Sequence, residues 1–211
     1  MPDLREKPIE KPFALNCPIG AEAKHPFRLR FRCEFVKVVS NVPIKKAVRD
    51  MTTPEQRLDA MGLKLPPPLQ VPDGVHLPFS FVNVRGNRAL ISGHPKHDAS
   101  GAITGPFGTF GKDITTEQGY AAAREVAVSV LANLQAEIGD LSRVSGWARV
   151  FGMVTSTSDY SEQHLVVNGF SDLILDVFGP EVGRHARSAI GVAALPMGFA
   201  MEIEGEVLLN D

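Results

Sequence analysis

HARSAIGVAALPMGFAMEIEGEVLL, residues 185–209, contains two extended segments of different character. Successive side chains of a strand point to opposite faces, so Met201, Ile203, Gly205 and Val207 share one side of the second segment and Glu202, Glu204 and Glu206 the other. A row of like charges repels itself unless water or cations meet it, and the plain reading is a solvated sheet face. The first segment is apolar and small-sided and carries one arginine, Arg187, among Ala186, Ser188, Ala189 and Gly191. Small neighbours leave space beside a guanidinium, whose planar fork suits a bidentate grip on a carboxylate. A structural ion pair with Glu202 or Glu204 across the adjacent strand is the competing reading.

Upstream, the pattern is regular from about residue 79. FSFVNVRGNRALISGH reads as two short strands turning at Arg85-Gly86-Asn87-Arg88. PKHDASGAITGPFGTFG reads as loop, and Thr115 opens a long helix with Gln118 in capping-box position. Tyr120, Ala123, Ala127, Val130, Leu131, Leu134 and Ile138 fall on one face of it and Gly139 ends it. SGWARVFGMVTST is a strand, and a second helix runs from about Glu162 to Phe178, stopped by Gly179-Pro180. The order strand, strand, helix, strand, helix, strand, strand gives an α+β fold, a two-layer sandwich of a mixed β-sheet with two helices on one face. If the bare face includes Trp147, Phe151 or Met153, a symmetric oligomer is the economical way to cover it.

The chain divides into an N-terminal extension, 1–50, a short helix (Glu55 to Met61) with a Pro-rich linker, 51–72, and the main domain, 73–211. The extension is expected to be flexible, or foreign to the domain: residues 1–23 mix Pro and charge without periodicity, and only Phe27 to Phe35 alternates like a strand. Charge changes sign with it. Residues 1–50 hold 11 basic and 6 acidic groups, residues 51–211 hold 11 and 18. The acidic body disfavours nucleic acid as a partner, since that binding rests on many Lys and Arg contacts to phosphate. Both cysteines, Cys17 and Cys33, precede residue 51, which removes thiolate chemistry from the body. No apolar run of 18 residues occurs, so no membrane is expected, and the localisation read from the sequence is cytoplasmic.

Several motifs fail. His94 and His97 sit near Asp98 in what reads as a solvated loop, without the spacing of a metal site, so no metal is assigned. GPFGTFGK ends in Lys112-Asp113 and lacks the Ser or Thr of a phosphate-binding loop. No GxSxG elbow supports a nucleophilic serine.

GNRALISGH, VVNGFSDLILDVFG and above all GRHARSAIGVAALP followed by MEIEGEV resemble the YjgF/Rid family of reactive imine and enamine deaminases, in its longer branch labelled endoribonuclease L-PSP or chorismate-mutase-like. The resemblance runs from about Arg57 to Leu208. It implies a homotrimer with a central β-barrel, helices outside, and clefts between subunits. By position it makes Arg187 the carboxylate-gripping arginine and Glu202 the water-positioning glutamate, with Phe79, Ser92, Gly93, Asn168 and Ala189 lining the substrate. Phe79 stands where deaminases of the family usually have tyrosine, and Ala189 where a cysteine is frequent. The implied activity is hydrolysis of 2-imino or enamino acids to 2-keto acids, with no cofactor because a protonated imine is already electrophilic. A trimer that binds a small carboxylate without turnover is the alternative, with RNA cleavage third.

Overall fold

The computed structural model describes residues 53–71, 74 and 76–210. The expectations for residues 1–50, including the Phe27 to Phe35 strand, lie outside these described residues.

Among the described residues, seven strands and three α-helices follow in order: α1 (Pro54–Ala60), β1 (Val82–Arg85), β2 (Arg88–His94), β3 (Lys96–His97), β4 (Ile103–Gly105), α2 (Thr116–Ile138), β5 (Val144–Thr155), α3 (Gln163–Gly183), β6 (Ala186–Val192) and β7 (Met201–Leu209). Five of the strands form one sheet in the order β1-β2-β7-β5-β6, with β5 and β6 parallel and the other pairs antiparallel. The sheet is therefore mixed, as the sequence pattern requires. The segment expected as loop after His94 contains a small hairpin instead, β3 paired with β4. Two- and three-residue strands are too short to leave a periodic signal.

Local chemistry sets the helix ends. Thr53 and Thr115 both close capping boxes, with Gln56 and Gln118 respectively, so backbone donors at each N-terminus are satisfied locally. Gly179 adopts φ 77 and breaks the α3 spiral where the sequence marks a stop, but the chain resumes a further turn to Gly183. The helix thus continues beyond Phe178, across a kink.

Both long helices pack on one sheet face. Val126, Val130, Leu131 and Leu134 of α2 and Val166, Phe170, Leu173 and Ile174 of α3 are buried against Ala89, Ile91, Val150, Val154, Ile203 and Val207. The two helices approach closely because Gly169 has no side chain: a Cβ there would stand 2.0 Å from the Tyr120 carbonyl oxygen. Helix α1 is tied to the same layer, with Arg57 Nη1 donating to Val177 O at 2.9 Å and Glu55 Oε1 accepting from Leu141 N at 2.8 Å.

Trp147 corrects the sequence expectation. It lies under the helices, edge-on to Phe170 and Phe178 at 5.8 and 5.9 Å, and not on the bare face with Phe151 and Met153. The cause is a β-bulge. Trp147 pairs with Val207 and Arg149 with Glu206, so two steps along β5 oppose one along β7 and Ala148 is supernumerary. Beyond it Val150, Gly152 and Val154 face inward, while Arg149, Phe151 and Met153 face outward.

Candidate functional site

The site residues expected from the sequence fall into two clusters. The first lies on the outer sheet face where β2 meets β7. Glu202 stands level with Met153 on the neighbouring strand and is half-buried. Burial alone raises its pKa above the ordinary carboxylate value. Its carboxylate rests against Gly93 so closely that a Cβ on that glycine would come within 2.8 Å of Oε2. Ser92 is fixed beside it, its hydroxyl donating to Ser80 O at 2.8 Å and its N–H to Phe81 O at 2.9 Å. Phe79, 53% exposed, extends the cluster and meets Phe81 edge-on at 5.8 Å.

The second cluster is built by β6 and α3. Arg187 is level with Val150, whose side chain faces the helices, and its guanidinium reaches α3: Nη1 donates to Ser171 Oγ at 3.0 Å and Nη2 to His164 O at 3.3 Å. His164, Asn168 and Ser171 are four and three residues apart, one stripe of a helix. Ala189 follows Arg187 on the same side of β6. Burial lowers the Arg187 pKa and the Asp172 charge opposes it. Of its five N–H donors, two are engaged by these bonds.

Arg187 and Glu202 are not neighbours. Strand β5 runs between β6 and β7, so the expectation of adjacent strands is corrected, and neither Glu202 nor Glu204 is the partner that holds Arg187. Val150 pairs with Arg187 and Gly205, Met153 with Ile190 and Glu202. Three residues along and two strands across place the two Cα atoms about 14 Å apart. Their side chains also leave opposite faces of the sheet. Within one chain the arginine and the glutamate belong to two separate clusters.

The other glutamates have separate surroundings. Glu206 Oε1 accepts from Arg88 Nε and Nη2, both at 2.6 Å, across β2. Glu204 lines a hollow of about 310 Å³ on the outer face, with Leu90, Ser92, Arg149 and Phe151. Arg149 lies over the Phe151 ring at 5.5 Å.

His94 and His97 differ from the solvated loop residues expected, being 0% and 5% exposed. His97 N–H donates to Ser129 Oγ of α2 at 3.0 Å and its Nε2 contacts Pro67 O at 3.0 Å. His94 Nδ1 contacts Ser92 O at 2.6 Å, and its ring meets Phe81 at 5.4 Å. Among the described residues no cluster of three or more His, Cys, Asp or Glu is placed to hold a metal ion. No helix among them is long and apolar enough to cross a membrane. Ser171 and the His164 carbonyl went unread in the sequence, although Ser171 lies one helical step past Asn168.

Residues 55–201 match the family model described as "YjgF/chorismate mutase-like, putative endoribonuclease". The chain is 43% identical over 155 residues to Protein TCP17 of Trypanosoma cruzi, covering 73% of this chain and 92% of that protein. Among solved structures, Atu1372 of Agrobacterium tumefaciens, of unknown function, superposes with TM-score 0.66 at 34% identity, over 79% of this chain and 98% of its own. A protein of Shewanella oneidensis MR-1, described as a "putative endoribonuclease", gives TM-score 0.66 at 30% identity, over 75% and 100%.

Proposed function

The chain belongs to the YjgF/chorismate mutase-like family, and on that premise we propose that it is a hydrolytic deaminase of 2-imino and enamino acids, working as a homotrimer. The Arg187 half-site of one copy meets the Glu202 half-site of the next. The observation that carries this reading is the arrangement of Arg187, held in place by α3 on an edge strand with N–H donors to spare. A guanidinium so anchored grips a carboxylate by charge-assisted bonds without first having to be ordered.

Glu202 complements it. A carboxylate whose pKa is raised by burial is better suited to taking a proton from water near neutral pH. Water adds to the imine carbon, Glu202 receives its proton, and the proton passes to the nitrogen. The carbon–nitrogen bond then breaks as the hydroxyl gives up its remaining proton to Glu202, leaving a 2-keto acid and ammonia. Separation of the two groups onto opposite faces within one chain supports an assembly, as do Leu90, Ile190 and Leu208, exposed at 40, 41 and 38%.

The test is Arg187→Ala. Keto-acid affinity measured by calorimetry with 2-oxobutanoate should fall about a hundredfold, the scale of truncating one side of a buried charge pair. Imine hydrolysis in a coupled amino-acid oxidase assay should fall with it. Unchanged affinity and unchanged hydrolysis would overturn the proposal. Phe79, which offers no hydroxyl, favours a second reading in which the trimer binds a small carboxylate without turnover. Keto-acid binding with no acceleration of imine decay would select it. RNA cleavage, the activity in the Shewanella protein's description, fits the outer face less well, because Glu202, Glu204 and Glu206 stand there beside Arg149 and Arg88.

A further inference from the structure

We propose that His185 and Ser171 are positioning residues of the same site, a one-directional hydrogen-bond relay that turns a lone pair of Ser171 onto Arg187 and fixes the plane of its guanidinium. This rests on the reading of Arg187 as a carboxylate clamp. His185 Nδ1 lies 2.7 Å from Gly183 O, and a carbonyl oxygen only accepts, so Nδ1 carries the proton. A neutral imidazole has one N–H, which leaves Nε2 an acceptor. Ser171 Oγ, 3.0 Å away, therefore donates to it. With its only hydrogen committed, Ser171 can meet Arg187 Nη1 at 3.0 Å solely as an acceptor.

The imidazole is seated for this role. Its ring packs 6.3 Å from Trp147, itself wedged between Phe170 and Phe178, so its orientation is inherited from the core. Burial lowers its pKa; the Gly183 carbonyl opposes this and the Arg187 charge adds to it, so the neutral form prevails at pH 7. Without His185 the Ser171 hydroxyl is a free rotor whose hydrogen can turn toward Arg187. The guanidinium then keeps only the longer bond to His164 O.

His185→Phe preserves the ring packing and removes the acceptor, while Ser171→Ala removes the oxygen. Each should weaken 2-oxobutanoate binding and raise KM about tenfold, with kcat moving less. Since both act along one path, the double variant should be no worse than the poorer single, and Ser171→Thr, which retains a hydroxyl, should bind like the unaltered protein. Losses that multiply in the double variant, or normal affinity in His185→Phe, overturn the relay. An Arg187→Ala control separates the two readings. Affinity lost there but kept in His185→Phe overturns the relay alone, whereas affinity kept in Arg187→Ala overturns the clamp and the relay with it. Nitrogen-15 NMR of the unaltered protein tests the relay without ligand: His185 should be neutral with Nδ1 protonated at pH 7, and the Nε2-protonated tautomer or the cation would refute it.

Discussion

Gly93→Ala should separate activity from stability. A Cβ on Gly93 would stand 2.8 Å from Glu202 Oε2, against roughly 3.4 Å for ordinary contact, so the carboxylate has to retreat about 0.6 Å. It is the far end of a flexible side chain, and little else must move. The stability cost should stay below about 1 kcal/mol, which lowers the melting temperature by less than about 4 °C in a domain of this size. Activity is less forgiving. A misplacement of about 1 Å costs on the order of a hundredfold in rate, so 0.6 Å should cost on the order of tenfold in imine hydrolysis. The coupled amino-acid oxidase assay reads the rate, and a thermal melt reads the fold. Glu202→Gln should lose more, and adding Gly93→Ala to it should change nothing further. Hydrolysis at the unaltered rate in Gly93→Ala would refute the role given to Glu202, and a loss that tracks a large fall in melting temperature would refute the separation.

Gly169→Ala should act in the opposite way, on the fold. The Tyr120 carbonyl, 2.0 Å from the added carbon, is backbone and cannot swing aside, so the two long helices must part. We expect about 3 kcal/mol of destabilisation, a fall of roughly 6–12 °C in melting temperature, and a change near zero would show that the helices are less tightly joined. His94 gives a pH signature. Burial, the largest cause, pushes its pKa down to about 4, with the Ser92 carbonyl opposing and His97 adding a smaller decrease. The unfolded chain takes up this proton near pH 6.5 and the folded chain near 4, so the stabilisation is complete above the first value and is lost as pH falls toward the second. About 3 kcal/mol should disappear across that window in urea melts, and His94→Phe should flatten the slope; an equal slope in the variant refutes the assignment.

Where the sequence is legible, the reason is local. The Thr115 capping box, the alternation of β7 and the inward face of α2 depend on residues within a few positions of one another. Arg187 stands out because a charge among small apolar residues needs a purpose. The relation of Arg187 to Glu202 is different, since it depends on strand order, and no periodicity in either segment reports that β5 lies between them. The burial of His97 is equally non-local: Ser129 of α2 and Pro67 before the sheet bond it from 32 and 30 residues away. Gly-Pro normally stops a helix, and Gly179-Pro180 predicts an end on local grounds alone. Here the chain reverses its local geometry at one residue and resumes.

The supernumerary Ala148 has a consequence for how this strand can vary. Trp147 and Val150 both face the helices although they stand three positions apart, which a regular strand forbids, so the bulge absorbs one residue of parity. Deleting Ala148 would leave Trp147, Arg149 and Val150 opposite Val207, Glu206 and Gly205 in unbroken register, with Trp147, Val150, Gly152 and Val154 still inward and Phe151 and Met153 still outward. A strand that kept Ala148 but lost the bulge would instead turn Trp147 away from the face that Val150 shares. The inserted residue is therefore dispensable for the faces of β5, while the irregular pairing around it is what lets the strand carry it.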